Sequence, residues 1–115
     1  LAKSGTVVNG YTFIGSVMAD GVSGDDLRKI AIDLRGKNSN SVVALVSSND
    51  GKPVLVVAVS DEARAAGVKA GALVKVGSTV LGGGGGGKDD FAQGGGTNPA
   101  KSLEAIAAIS QSLLG

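Results

Sequence analysis

Lys88 stands directly after six consecutive glycines, Gly82 to Gly87, and a second glycine triplet, Gly94 to Gly96, follows within seven residues. A glycine-rich turn ending in lysine is one way to cradle phosphate, because backbone N–H groups and an ammonium converge on the anion. Gly82, Gly87 and Lys88 match the pattern G-x-x-x-x-G-K-[ST] as far as its lysine, but Asp89 stands where a hydroxyl should hold magnesium. The tract also follows a helix-like segment, so its first glycine reads as a helix C-cap, at the negative end of the dipole. A nucleoside triphosphate site is therefore disfavoured. The chain contains no His and no Cys, which excludes imidazole or thiolate zinc sites, Ser-His-Asp and Cys-His pairs, and disulfides. Asp25 and Asp26 are adjacent carboxylates, but with no histidine or metal partner they read as helix-start residues.

Two readings of the glycines remain. Nine of the fifteen residues from Gly82 to Gly96 are glycine, and ordering each costs roughly 0.5 to 1 kcal/mol more than ordering alanine. A fixed six-residue tract thus forgoes about 3 to 6 kcal/mol, against a domain stability of about 5 to 15 kcal/mol. Such a tract is either a flexible linker or is needed as bare backbone. The lack of serine in it, the second triplet, and Phe91 and Ala92 between the two count against a linker. As bare backbone it lets a flat or broad ligand reach peptide groups directly. Gly94 to Gly96 lead toward a helix N-terminus suited to phosphate, with Lys88 and Lys101 flanking that place. Gln93 reads either as an amide cap of the glycine loop or as a ligand contact, and Phe91 as a core plug or a stacking platform.

The elements that must carry these residues are legible around them. Thr6 to Val8 and Tyr11 to Met18 alternate about an Asn9-Gly10 pair, a hairpin signal. Ser23 caps a helix carrying Leu27, Ile30, Ala31 and Leu34 inward, with Arg28, Lys29, Arg35 and Lys37 as a solvated basic edge. Ser41 to Ser48 and Val54 to Val59 are continuous apolar runs joined through Asp50-Gly51, as expected of central strands covered on both faces. Lys69 to Leu81 reads as a helix with Ala72, Leu73, Val76 and Val80 inward, and residues 98–114 as a C-terminal helix with Leu103, Ile106, Ala107, Ser110, Leu113 and Leu114 inward. The expected fold is one α/β domain over residues 1–115. Its sheet is mixed or largely antiparallel, of about five strands built from hairpins, with three main helices and a glycine-rich loop at 82–96. The apolar runs are too short to span a bilayer and the N-terminus lacks a secretory pattern. No membrane association and a cytoplasmic location are expected. Because Leu1 is not a start methionine and a small glycine-heavy domain follows at once, the chain is expected to be an excised piece of something longer.

The stretch from Gly82 through Lys88-Asp89-Asp90-Phe91-Ala92-Gln93 to Gly96 resembles the glycine-rich signature that ends bacterial alanyl-tRNA synthetases, in a domain shared with the DHH phosphoesterases. The upstream layout is similar, including a Lys-Ala-Gly-Ala-Leu-Val-Lys helix at Lys69 to Lys75. The resemblance implies a non-catalytic tRNA-binding appendage that contacts the elbow of alanine-accepting tRNA and assists aminoacylation and editing. Its site residues are then Gly83, Gly84, Gly85, Gly86, Gly87, Lys88, Gln93, Gly94, Gly95, Gly96 and Lys101. The other implied partners are the remaining domains of the same synthetase, which would hold the ATP, magnesium and zinc chemistry. Lys88-Asp89 replaces the family's usual Arg-Pro, which keeps the charge and loses the planar fork. The related exonucleases carry a histidine after their glycines, and its absence favours the synthetase. A single-stranded nucleic-acid-binding domain of a DHH-type exonuclease, and a dimerisation module of the synthetase, are the alternatives.

Overall fold

The structure is a computed structural model and describes residues 5–8, 10–18, 21–37 and 40–113. Strands β1 (Gly5–Val8) and β2 (Tyr11–Val17) form the expected hairpin, with Val8 opposite Tyr11. Gly10 takes the left-handed φ of +86° that its turn requires. Asn9 lies outside the described residues, as do Leu1 and Leu114. Helix α1 (Gly24–Lys37) starts at Ser23, whose Oγ accepts the Asp26 N–H at 3.1 Å. It carries the chain back across the sheet, so that β3 (Ser41–Asn49) pairs parallel with β2. Asp50 and Gly51, both at positive φ, turn the chain into β4 (Lys52–Val59), which pairs antiparallel with β3.

The remaining elements are α2 (Asp61–Ala65), α3 (Ala70–Val80), β5 (Gly85–Gly87), β6 (Phe91–Gly95) and, after a 3₁₀ turn, α4 (Ser102–Ser112). The strands order as β1-β2-β3-β4-β6-β5, a mixed sheet. Because β3 and β4 lie centrally, Val42–Val46 and Leu55–Val59 are fully buried, as continuous apolar runs predict. On one face Val43, Leu45, Val56 and Ala58 pack with Leu27 and Ala31 of α1. On the other, Val42, Ala44, Leu55 and Val57 pack with Leu73 and Val74 of α3 and Ala105 and Ile109 of α4.

Three expectations change. The glycine-rich segment forms no free loop but supplies the last two strands of the sheet. A glycine run carries no β-propensity signal, yet its backbone groups pair as well as any others. In α3 the buried stripe is Ala70, Leu73, Val74, Gly77 and Ser78, and Ala72 is exposed. The reason is Gly77: an added Cβ there would stand 2.6 Å from Leu55 Cδ2 and 2.8 Å from Ile109 Cδ1, so its bareness lets the helix settle onto β4 and α4. In α4 the buried residues are Ser102, Ala105, Ile109 and Leu113, while Leu103 is 74% exposed and Ala107 is exposed. The 3₁₀ turn, in which Ser102 Oγ donates to Pro99 O at 2.7 Å, sets a helix phase that periodicity leaves ambiguous.

Candidate functional site

The two glycine strands close one edge of the sheet. β6 pairs with β4, and β5 pairs with β6 alone among the described strands, leaving the outer side of β5 free. Lys88 N–H donates to Phe91 O at 3.0 Å and Gly95 N–H donates to Gly84 O at 3.2 Å. With Gly86 opposite Gln93, these bonds make 84, 86 and 88 the positions whose amides face β6. The alternation of an antiparallel ladder then turns the N–H and C=O groups of Gly85 and Gly87 toward the free edge. Their glycine identity serves the fold itself, since a Cβ on Gly87 would lie 2.7 Å from Ala92 Cα and one on Gly85 would run into Gly94.

Gly84 and Gly86 differ. Neither has a positive φ, and a Cβ added at either meets nothing within 4 Å. The fold gives no reason for glycine at these two positions. Gly86 shares its face with Gln93, the side on which α1 lies, and there it borders a cleft of about 460 Å³. The far wall is formed by Arg28, Ile32 and Arg35, which share one side of α1 at spacings of four and three. Lys88 and Asp90 close one end. Phe91 lies half-buried at the cleft, packed on the α1 side of the core as the core-plug reading expects, with the Arg28 guanidinium 5.5 Å from its ring centroid.

The turn bearing Lys88 is fixed by its carbonyls. Gly71 N–H donates to Lys88 O at 3.2 Å and Ala70 N–H to Asp89 O at 2.9 Å, so the first amides of α3 find their acceptors here. Asp90 O accepts both Val59 N–H and the Arg35 guanidinium at 2.9 Å. The cap of α3 is thus supplied by the backbone oxygens of Lys88 and Asp89, and that of Asp90 joins β4 to Arg35. Their charges act on Arg64, which is raised above its ordinary value first by its bond to Asp61 and further by Asp90 and Asp89.

The expected site residues thus divide. Gly84 to Gly87 and Lys88 form one continuous edge, with Gln93 exposed beside Gly86, whereas Gly83 precedes the strand and a Cβ on it would collide with Gly95 and Gly96. Gly94, Gly95 and Gly96 are half-buried, and a Cβ on any of them would collide with Ser78, Pro53 or Leu81 respectively, so packing accounts for them. Lys101 does not flank Lys88: the two lie beyond opposite ends of β6, about 17 Å of strand at ~3.4 Å per residue, and Lys101, in the 3₁₀ turn, pairs with Glu104 in the first turn of α4. Of the basic edge on α1, Lys37 pairs with Asp33 at 3.0 Å and is solvated as expected. Arg28 and Arg35 instead face the cleft. Ile32 escaped sequence reasoning altogether, although its helical spacing from Arg28 and Arg35 was the available signal.

Residues 10–114 match the family model described as the DHHA1 domain. The chain is 45% identical over 112 residues to an alanine–tRNA ligase of Streptomyces avermitilis, and 50% identical over 110 residues to one of Acidothermus cellulolyticus. These alignments cover 95% and 94% of this chain but only 13% and 12% of those proteins. The C-Ala domain of Aquifex aeolicus alanyl-tRNA synthetase superposes with a TM-score of 0.89 at 34% identity, covering 96% of this chain and 98% of that one. The DHH domain of a member of a ribosomal-protein family shares the fold, with a TM-score of 0.61 at 19% identity over 96% of this chain and 27% of that one.

Proposed function

The chain belongs to the DHHA1 domain family, in the form found in alanyl-tRNA synthetases, and on that premise we propose that it is a tRNA-binding appendage whose contact surface is the free edge of β5 together with the cleft beside α1. The observation that carries this reading is the openness at Gly84 and Gly86, where the residue is glycine although the fold would accept a side chain. Bare positions with no folding rationale, set beside Arg28, Arg35 and Lys88, suit a ligand that is anionic and must approach the main chain closely. The outer corner of alanine-accepting tRNA, where the D and T loops meet, ends in an exposed stacked base pair, and a flat object of that kind can rest on a ribbon lacking Cβ atoms. Phosphates on either side then reach Arg28, Lys88 and the outward amides of Gly85 and Gly87.

The remaining domains of the parent synthetase are the second set of partners in this reading. In this reading aminoacylation with ATP and magnesium belongs to those domains, and so does zinc chemistry, for which this chain offers neither imidazole nor thiolate. A formal net charge of +1 makes the isolated domain a weak binder. As a tethered appendage it needs little affinity of its own, because effective concentrations reach about the millimolar range.

Nuclease protection mapping of tRNA by this chain tests the reading. Protection of the D and T loops supports it. Protection confined to the acceptor end, or equal binding of any single strand, would favour the exonuclease-type alternative.

A further inference from the structure

Resting on that reading, we propose that Arg35 is a positioning residue of the interface: by holding the Lys88–Asp90 turn against α1 it aims the Lys88 ammonium at the ligand, without touching the ligand itself. The Arg35 guanidinium donates to Asp90 O at 2.9 Å across 55 residues of sequence. The other bonds holding this turn, from Val59, Ala70 and Gly71, come from the backbones of β4 and α3. Arg35 therefore ties the turn to the opposite layer of the domain, and its half-buried side chain forms the wall between the interface cleft and a second, polar cleft lined by Ser60, Asp61 and Glu62.

Charge adds a second consequence. Asp89 and Asp90 follow Lys88 directly and would repel a phosphate brought to it. Arg35 places a cation on the Asp90 carbonyl, on the ligand side of the turn. Arg64, whose charge also interacts with Asp90 and Asp89, is already committed to Asp61. Without Arg35 the turn keeps its backbone bonds from Val59, Ala70 and Gly71, and Asp90 loses the cation bonded to its carbonyl.

The test uses Arg35→Met, which keeps the length of the side chain and removes the donors, and Arg35→Lys, which restores one donor and the charge. In the free protein, NMR order parameters of the Lys88 and Asp89 amides should fall from about 0.85 toward 0.6 in Arg35→Met, with β3 and β4 unchanged, and recover in Arg35→Lys. In tRNA binding, Arg35→Met should weaken affinity severalfold and flatten the salt dependence by about one unit of slope. It should do neither in a Lys88→Ala background. An unaltered turn in Arg35→Met, or losses from Arg35→Met and Lys88→Ala that multiply, would overturn the proposal. If the wild-type chain fails to bind tRNA, the interface reading falls separately, and the order parameters still decide whether Arg35 holds the turn. Should Arg35→Met not fold, Arg35→Leu carries the same comparison.

Discussion

Gly86→Ala separates a glycine kept for folding from one kept for a ligand. Its φ is not in the left-handed region and the new Cβ meets nothing within 4 Å, so the native state accommodates it unstrained. The unfolded chain loses conformational freedom, and stability should rise by about 0.4 to 1 kcal/mol. With an unfolding entropy of about 0.24 kcal/mol/K for a chain of this length, the melting temperature should climb by about 2 to 4 °C. Binding should move the other way. A methyl group at the floor of the cleft lifts a closely seated ligand by more than an ångström, beyond hydrogen-bonding range of the neighbouring amides of Gly85 and Gly87. Each lost bond is worth about 0.5 to 1.5 kcal/mol, so the pair is worth roughly 1 to 3 kcal/mol, or about 5- to 150-fold in Kd. Calorimetric melting and filter binding with tRNA measure the two effects on one preparation. A variant that is stabilised yet binds tRNA like the parent would refute the reasoning, and so would one that is destabilised.

Other positions answer different questions. Gly87→Ala, whose Cβ would lie 2.7 Å from Ala92 Cα, should lower the denaturant midpoint. Gly77→Ala should cost about 1 to 2 kcal/mol in spite of the better helix propensity of alanine, because the methyl crowds Leu55 and Ile109. Ser78→Ala should be neutral or raise stability by up to about 1 kcal/mol by chemical denaturation, since Ser78 Oγ is buried with no partner among the described residues. Lys88→Ala should reduce the salt slope of tRNA binding by about one unit, and an unchanged slope would remove Lys88 from the interface. The Asp61 carboxyl is held below its usual value chiefly by its hydrogen bond to Arg64, and that of Glu62 by backbone N–H groups, its own and that of Asn40. Depressed carboxyl values give stability that is present above the unfolded pKa of about 4 and is lost as pH falls through the folded values. Acid unfolding should therefore set in at higher pH in Asp61→Asn, as read by circular dichroism.

Sequence patterning carried the central layers well. β-branched runs on consecutive positions pointed to β3 and β4 as covered strands, and Ser23 with Leu27 and Ala31 located α1, because burial on both faces and capping leave direct chemical signatures. The phases of α3 and α4 were not legible. In α3 the inward positions include Gly77 and Ser78, residues that hydrophobic periodicity does not count, and in α4 a 3₁₀ turn displaced Leu103 outward. The glycine tract was legible as exposed bare backbone but not as two strands, since pairing there uses only main-chain groups. Within the candidate site, Lys88 and its glycines were found from their order in the chain. Arg28, Ile32 and Arg35 were not assigned to it, because only tertiary folding brings α1 alongside residues more than fifty positions later. Lys101 was placed beside Lys88 by proximity to the glycine triplet, and the length of β6 undoes that inference.

The amide signals of Gly85 and Gly87 report most directly on whether a nucleic acid rests against the bare edge. In a titration of the ¹⁵N-labelled chain with tRNA, both amides should shift together with Lys88 and Gln93, and their hydrogen exchange should slow as the complex saturates. A complex that saturates with these two amides unmoved, its contacts mapped to another face of the domain, would contradict the account.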